Sequence, residues 1–176
     1  MTDHVAATEA ETQMAVCMSE SVLAEITLVD LEATEQLAAK LAAVLKPGDV
    51  IALDGPLGIG KTAFARGLIR HLVGAETEVP SPTFNLVFTY DVDDGPLWHF
   101  DLFRIEQPED VYELGIEEAF ADGISLIEWP ERLGGLLPQD CLTLTFLAGA
   151  NDGARRVRMI GSETWRRRLE ELIGDG

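Results

Sequence analysis

The chain has 176 residues, 47% hydrophobic and 25% charged, proportions that suit one folded domain with a buried core. Asp and Glu number 31 against 13 Lys and Arg, a formal net charge of -18, so the surface repels nucleic acid and anionic lipid. Cys17 and Cys141 are isolated, which argues against a disulfide scaffold and structural zinc, and no apolar run of about 18 residues suggests a membrane span. The N-terminus lacks the basic-then-apolar order of a signal peptide, so a cytoplasmic location is expected.

Residues 1–20 read as a flexible acidic tail and residues 21–176 as one domain. The apolar stretch 23–29 predicts a first strand. Asp30 then caps a helix reaching Leu45, with Leu37, Leu41 and Leu45 on one face and Pro47-Gly48 as its stop. Residues 49–53 form a short buried strand, a glycine-rich turn follows, and residues 61–73 carry a helical pattern closed by Gly74. The prolines of Pro80-Ser81-Pro82-Thr83 favour an extended loop.

Strands are expected at 85–90 and 97–102 across the turn signal Asp93-Asp94-Gly95-Pro96, then short helices at 108–114 and 116–121. A buried strand at 124–127 follows, then a hairpin of strands 141–147 and 155–160, and a last helix starts at Thr164. This mixture predicts an α/β fold, a mostly parallel sheet with helices on both faces and an antiparallel edge.

The turn reads Gly55-Pro56-Leu57-Gly58-Ile59-Gly60-Lys61-Thr62, a phosphate-binding loop between a buried strand and a helix. Phosphates need dense positive potential without bulk, and backbone N–H groups supply it where glycines allow the tight turn. Gly55, Leu57, Gly58, Ile59, Gly60, Lys61 and Thr62 are the candidate nucleotide contacts. Lys61 reaches the β- and γ-phosphates, and the Thr62 hydroxyl ligates Mg²⁺. A chance match in a chain of this length arises roughly once in a hundred, before the flanking strand and helix are demanded. Residues 21–176 are thereby read as a P-loop ATPase domain.

Hydrolysis also needs an acid on the metal side and a group that orients water. Glu128 and Asp101 each end a predicted strand, where catalytic groups of open α/β sheets gather. Glu128 is the candidate metal-side acid, and Asp101 the water-orienting or second metal-side group. Ser81 and Thr83 lie where nucleotide-sensing loops place a hydroxyl near the γ-phosphate, although a plain turn explains them equally well. His99 reads as a core histidine or one behind the site, Trp98 and Trp129 as packing residues, Trp129 also placed to shield the site. Six of the 13 basic residues (Arg155, Arg156, Arg158, Arg166, Arg167, Arg168) crowd the C-terminal end, as a solvated face or as a patch for a partner.

The order Gly55–Thr62, Ser81-Pro82-Thr83-Phe84, His99-Phe100-Asp101-Leu102-Phe103-Arg104, Leu114-Gly115 and Ile127-Glu128-Trp129-Pro130-Glu131 resembles the TsaE (formerly YjeE) family of bacterial ATPases, over roughly residues 30–138. The resemblance implies a small P-loop fold binding ATP with Mg²⁺ and associating with two partners, a threonylcarbamoyl transferase subunit and its inactive paralogue. It implies that this complex modifies adenosine 37 of tRNAs reading codons that begin with A, the chain meeting tRNA only through the complex. By the family pattern Thr62 and Glu128 hold Mg²⁺ and Asp101 is needed for hydrolysis. Pro56 stands where many members carry an acid, and Phe103 where they often carry Tyr.

Two rivals share the loop and a third needs no catalysis. A small-molecule kinase needs lid arginines, and no Lys or Arg lies between Arg104 and Arg132. A regulatory GTPase reads guanine with an Asn/Thr-Lys-x-Asp motif, and Lys40, Lys46 and Lys61 sit in none. A nucleotide-dependent adaptor overlaps the family role.

Overall fold

The computed structural model describes residues 21–151 and 153–173; the tail expected at 1–20 lies outside them. Seven strands form one sheet: β1 (Ser21–Leu28), β2 (Val50–Asp54), β3 (Val87–Val92), β4 (Gly95–Asp101), β5 (Ile124–Glu128), β6 (Leu142–Ala148) and β7 (Arg155–Gly161). Four α-helices accompany them: α1 (Leu31–Ala42), α2 (Lys61–Val73), α3 (Ile116–Asp122) and α4 (Glu163–Ile173). The segments Pro108–Leu114 and Pro130–Leu136 are 3₁₀ helices.

The sheet order is β1-β7-β6-β2-β5-β4-β3. The central strands β6, β2, β5 and β4 are parallel, whereas β4 with β3, β6 with β7 and β7 with β1 are antiparallel. The parallel centre agrees with the sequence, and antiparallel pairing occurs at both edges. Strand β2 shows why the centre is parallel: Val50, Ile51, Ala52 and Leu53 are buried on both faces, as a strand covered by helices on each side must be.

Alternate residues of β2 feed two cores. Ile51 and Leu53 join Leu37, Leu41, Phe64, Leu68, Phe146 and Trp165 under α1, α2 and α4. Val50 and Ala52 join Phe100, Val111, Ile116 and Leu133 under α3 and the 3₁₀ segments. Burying each large apolar side chain contributes about 1.5–3 kcal/mol, so these cores hold the sheet on which the site is built.

Local chemistry sets the boundaries. Asp30 caps α1, its Oδ1 accepting from the Ala33 N–H at 2.8 Å, as its sequence position predicts. The helix stops at Ala42 rather than at Leu45, though Leu45 remains buried. Strand β3 starts two residues later than expected because Leu86 has φ +67°, which interrupts the extended run; its N–H closes a turn on the Pro82 carbonyl at 2.6 Å. Arg168 anchors α4, its guanidinium gripping the Asp49 carboxylate and the Val44 carbonyl and lying 4.2 Å from the Trp165 ring centroid. Among the described residues no helix is long and apolar enough to cross a membrane.

Candidate nucleotide site

The loop after β2 turns through three glycines with positive φ, Gly55 (+136°), Gly58 (+75°) and Gly60 (+121°). At Gly55 the need is also spatial, because a Cβ there would lie 2.7 Å from the Phe146 carbonyl oxygen of the neighbouring strand. Helix α2 begins at Lys61, directing its free N–H groups and the positive end of its dipole toward the loop.

A cavity of about 250 Å³ opens there, lined by Leu57, Gly58, Gly60, Lys61, Thr62, Ala63, Thr83, Asp101, Glu128 and Trp129. Four elements converge on it: the loop with α2, the 82–86 turn, and the ends of β4 and β5. Gly55 and Ile59 belong to the loop but do not line the cavity; the Gly55 carbonyl accepts from Lys61, and the Ile59 carbonyl faces Arg155.

The two acids share a rung. Asp101 and Glu128 are register partners in β4 and β5, 4% and 2% exposed respectively. Glu128 Oε2 accepts from the Thr62 hydroxyl at 2.8 Å, and Oε1 meets His99 Nε2 at 2.9 Å. A carboxylate only accepts, so Nε2 carries the proton; Nδ1 is buried without a hydrogen-bond partner among the described residues. Asp101 Oδ2 accepts from the Thr83 hydroxyl at 2.9 Å, and Oδ1 from the Phe103 N–H at 3.0 Å. Ser81 lies one step behind, its hydroxyl 2.8 Å from that of Thr83.

Lys61 Nζ donates to the Gly55 carbonyl and, at 3.0 Å, to the Pro56 carbonyl. It lies 3.9 Å from the Trp129 ring centroid. Burial lowers the Lys61 pKa below the ordinary lysine value, while the negative charges of Glu128, Glu131, Asp54 and Asp101 oppose that shift. Trp129 adopts φ +62°, a left-handed conformation that costs a non-glycine residue of order 1–3 kcal/mol. That turn, directly after Glu128, brings the indole over Lys61 and 4.9 Å from the Phe103 ring.

Lys61, Thr62, Thr83, Asp101 and Glu128, chosen from separate motifs, thus surround one cavity. Sequence reasoning missed Ala63, which a position next to Thr62 could have suggested, and the contact of Arg155 with Ile59, which spans 96 residues and has no signal in the chain order. Among the described residues no group of three or more His, Cys, Asp or Glu side chains could hold a metal ion. A hydroxyl and one carboxylate are a poor site for zinc. They match Mg²⁺, which keeps several waters and takes one or two protein ligands alongside substrate phosphates.

Parallel central strands, a glycine loop after β2, and acids at the ends of the adjoining strands define a P-loop protein of the α/β class. The family model described as threonylcarbamoyl adenosine biosynthesis protein TsaE matches residues 28–157, and the chain belongs to this family. It is 48% identical over 106 residues to the tRNA threonylcarbamoyladenosine biosynthesis protein TsaE of Rickettsia felis, a match covering 60% of this chain and 62% of that relative's length. Against the protein of the same name from Bacillus subtilis it is 38% identical over 125 residues, covering 70% and 77% of the two chains. The crystal structure of Bacillus subtilis YdiB superposes with a TM-score of 0.70 at 29% identity, covering 86% of this chain and 94% of that one.

Proposed function

We propose that the chain is a Mg²⁺-dependent ATPase that supports threonylcarbamoylation of adenosine 37 in tRNAs reading codons that begin with A. It acts in the cytoplasm within a complex that includes a threonylcarbamoyl transferase subunit and its inactive paralogue. The observation that carries the ATPase reading is the 2.8 Å bond between Thr62 Oγ1 and Glu128 Oε2 at the mouth of the loop. It joins a hydroxyl at the start of α2 to a buried strand-end acid, the pair of oxygens a phosphate-bound magnesium needs. The tRNA role rests on the family and on the names of the relatives.

The residues divide the work. The Gly58, Gly60, Lys61 and Thr62 N–H groups and the α2 dipole bind phosphate oxygens. Lys61 Nζ leaves the Gly55 and Pro56 carbonyls for the β- and γ-phosphates, a gain in negative surroundings that favours its charged form. Thr62 and Glu128 hold Mg²⁺, which when bound supplies positive charge against the phosphate oxygens as charge develops on them. His99 fixes the rotamer of Glu128, and Asp101, held by Thr83 and the Phe103 N–H, orients the attacking water. Trp129 covers the cavity and limits the entry of further water.

The test is calorimetry and turnover on the full chain with ATP, with and without Mg²⁺. Wild type binds ATP and hydrolyses it slowly in a Mg²⁺-dependent manner, because among the described residues no arginine lines the cavity. An arginine supplied by a partner is worth ~10³–10⁵ in rate. Lys61→Ala loses turnover and most of the ATP affinity. Unchanged ATP affinity in that variant contradicts the assignment.

A further inference from the structure

We infer that Arg155, on β7 and far from the P-loop in sequence, is a positioning residue that sets the peptide plane delivering the Gly60 N–H to the phosphate. The inference rests on the nucleotide reading above. The Arg155 Nε–H donates to the Ile59 carbonyl at 2.7 Å, and Nη1 donates to the Ala154 carbonyl at 2.8 Å. The Ile59–Gly60 peptide is planar and trans, so its N–H points opposite to its C=O. Drawing the Ile59 carbonyl toward β7 therefore turns the Gly60 N–H away from β7. Gly60 lines the cavity and neither Ile59 nor Arg155 does, which accords with a peptide that presents its N–H to the cavity and its C=O to β7.

The neighbouring arginines make the contrast. Arg156 and Arg158 pair with Glu25, Arg166 and Arg167 with Glu163, and Arg168 with Asp49. Among the described residues Arg155 makes no ion pair; its guanidinium donates instead to two carbonyls, one of them in the loop. Gly60 has φ +121°, and glycine moves between backbone wells at little cost. A peptide beside such a residue rotates readily unless something holds it, and a half-buried, charge-assisted hydrogen bond does so. The ligand class is any chain carrying a β-phosphate: nucleoside di- and triphosphates, and inorganic tripolyphosphate.

The experiment uses calorimetry and steady-state turnover on full-length Arg155→Met, which keeps the stem and removes the donors. Dissociation constants for MgATP, MgADP and tripolyphosphate rise about tenfold or more, the scale of one charged hydrogen bond. The KM for ATP rises by the same factor while kcat stays within about twofold, because the Gly60 N–H holds ground state and transition state alike. Arg155→Lys, which keeps one donor, recovers part of the affinity; should the Met variant not fold, a rise in all three constants for Lys carries the same expectation. A merely structural arginine lowers the melting temperature and leaves the KM untouched, and that result overturns the inference. Loss of ATP affinity with tripolyphosphate binding intact also overturns it, since it would mark a nucleoside contact. If wild type binds neither ATP nor tripolyphosphate, the nucleotide reading itself falls and takes the inference with it.

Discussion

Asp101 and Glu128 end neighbouring parallel strands on the same rung, and the Leu102 N–H ties the two strand exits together by donating to the Glu128 carbonyl at 3.1 Å. Their side chains then part company, Glu128 toward Thr62 and Asp101 toward Thr83. Under the proposed function, one rung thereby serves the two jobs that hydrolysis requires.

This division predicts different failures. Glu128→Gln weakens the apparent Mg²⁺ affinity on the order of 10–100-fold, as loss of a metal-site partner does. Asp101→Asn leaves Mg²⁺ affinity near wild type and lowers kcat on the order of 10²–10⁴, the range of a proton-handling or water-orienting group. Mg²⁺ titrations of ATP turnover read both quantities, and wild-type turnover in either variant would demote that acid to a structural one.

Gly55→Ala should abolish nucleotide binding even though Gly55 does not line the cavity. The added Cβ would lie 2.7 Å from the Phe146 carbonyl, on backbone at φ +136°, so the loop must move. Gly58→Ala meets no atom within 4 Å and has only its backbone strain at φ +75° to bear, about 1–2 kcal/mol. Calorimetry with ATP compares the two; equal behaviour would show that contact with β6 does not shape the loop.

The loop, Lys61, Thr62 and the strand-end placement of Asp101 and Glu128 were legible in the sequence because each depends on short-range patterns: a buried strand, a glycine turn, a helix start. The Asp30 cap was legible for the same reason. The strand order was not, since pairing β1 with β7 joins opposite ends of the chain. Nor were the shared rung of Asp101 and Glu128, 27 residues apart, or the grip of Arg155 on Ile59, because contacts at such separation leave no local pattern. Phe103 and Trp129 meet only because Trp129 takes a left-handed turn, a conformation that tertiary packing imposes against the residue's own preference.

The arginine-rich end is largely spent on intramolecular pairs, and this bears on RNA. With Arg156, Arg158, Arg166, Arg167 and Arg168 each facing an acid and a net charge of -18, the isolated chain should bind tRNA only weakly at near-physiological salt, where phosphate contacts dominate affinity. Filter binding checks this. Sub-micromolar affinity that is lost when Arg166, Arg167 and Arg168 become Ala would make this end an RNA-binding element.

Under the proposed function, ATP hydrolysis at the Thr62–Glu128–Asp101 site sustains tRNA modification by the assembled complex. The most direct measurement is multiple-turnover formation of threonylcarbamoyladenosine on tRNA, reconstituted from the transferase subunit, its paralogue and this chain, as wild type or as Asp101→Asn. Sustained product formation is expected with wild type, and with the variant a halt after about one turnover while ATP binding persists. Equal product formation with both chains, at matched concentrations and with ATP hydrolysis absent in the variant, would contradict it.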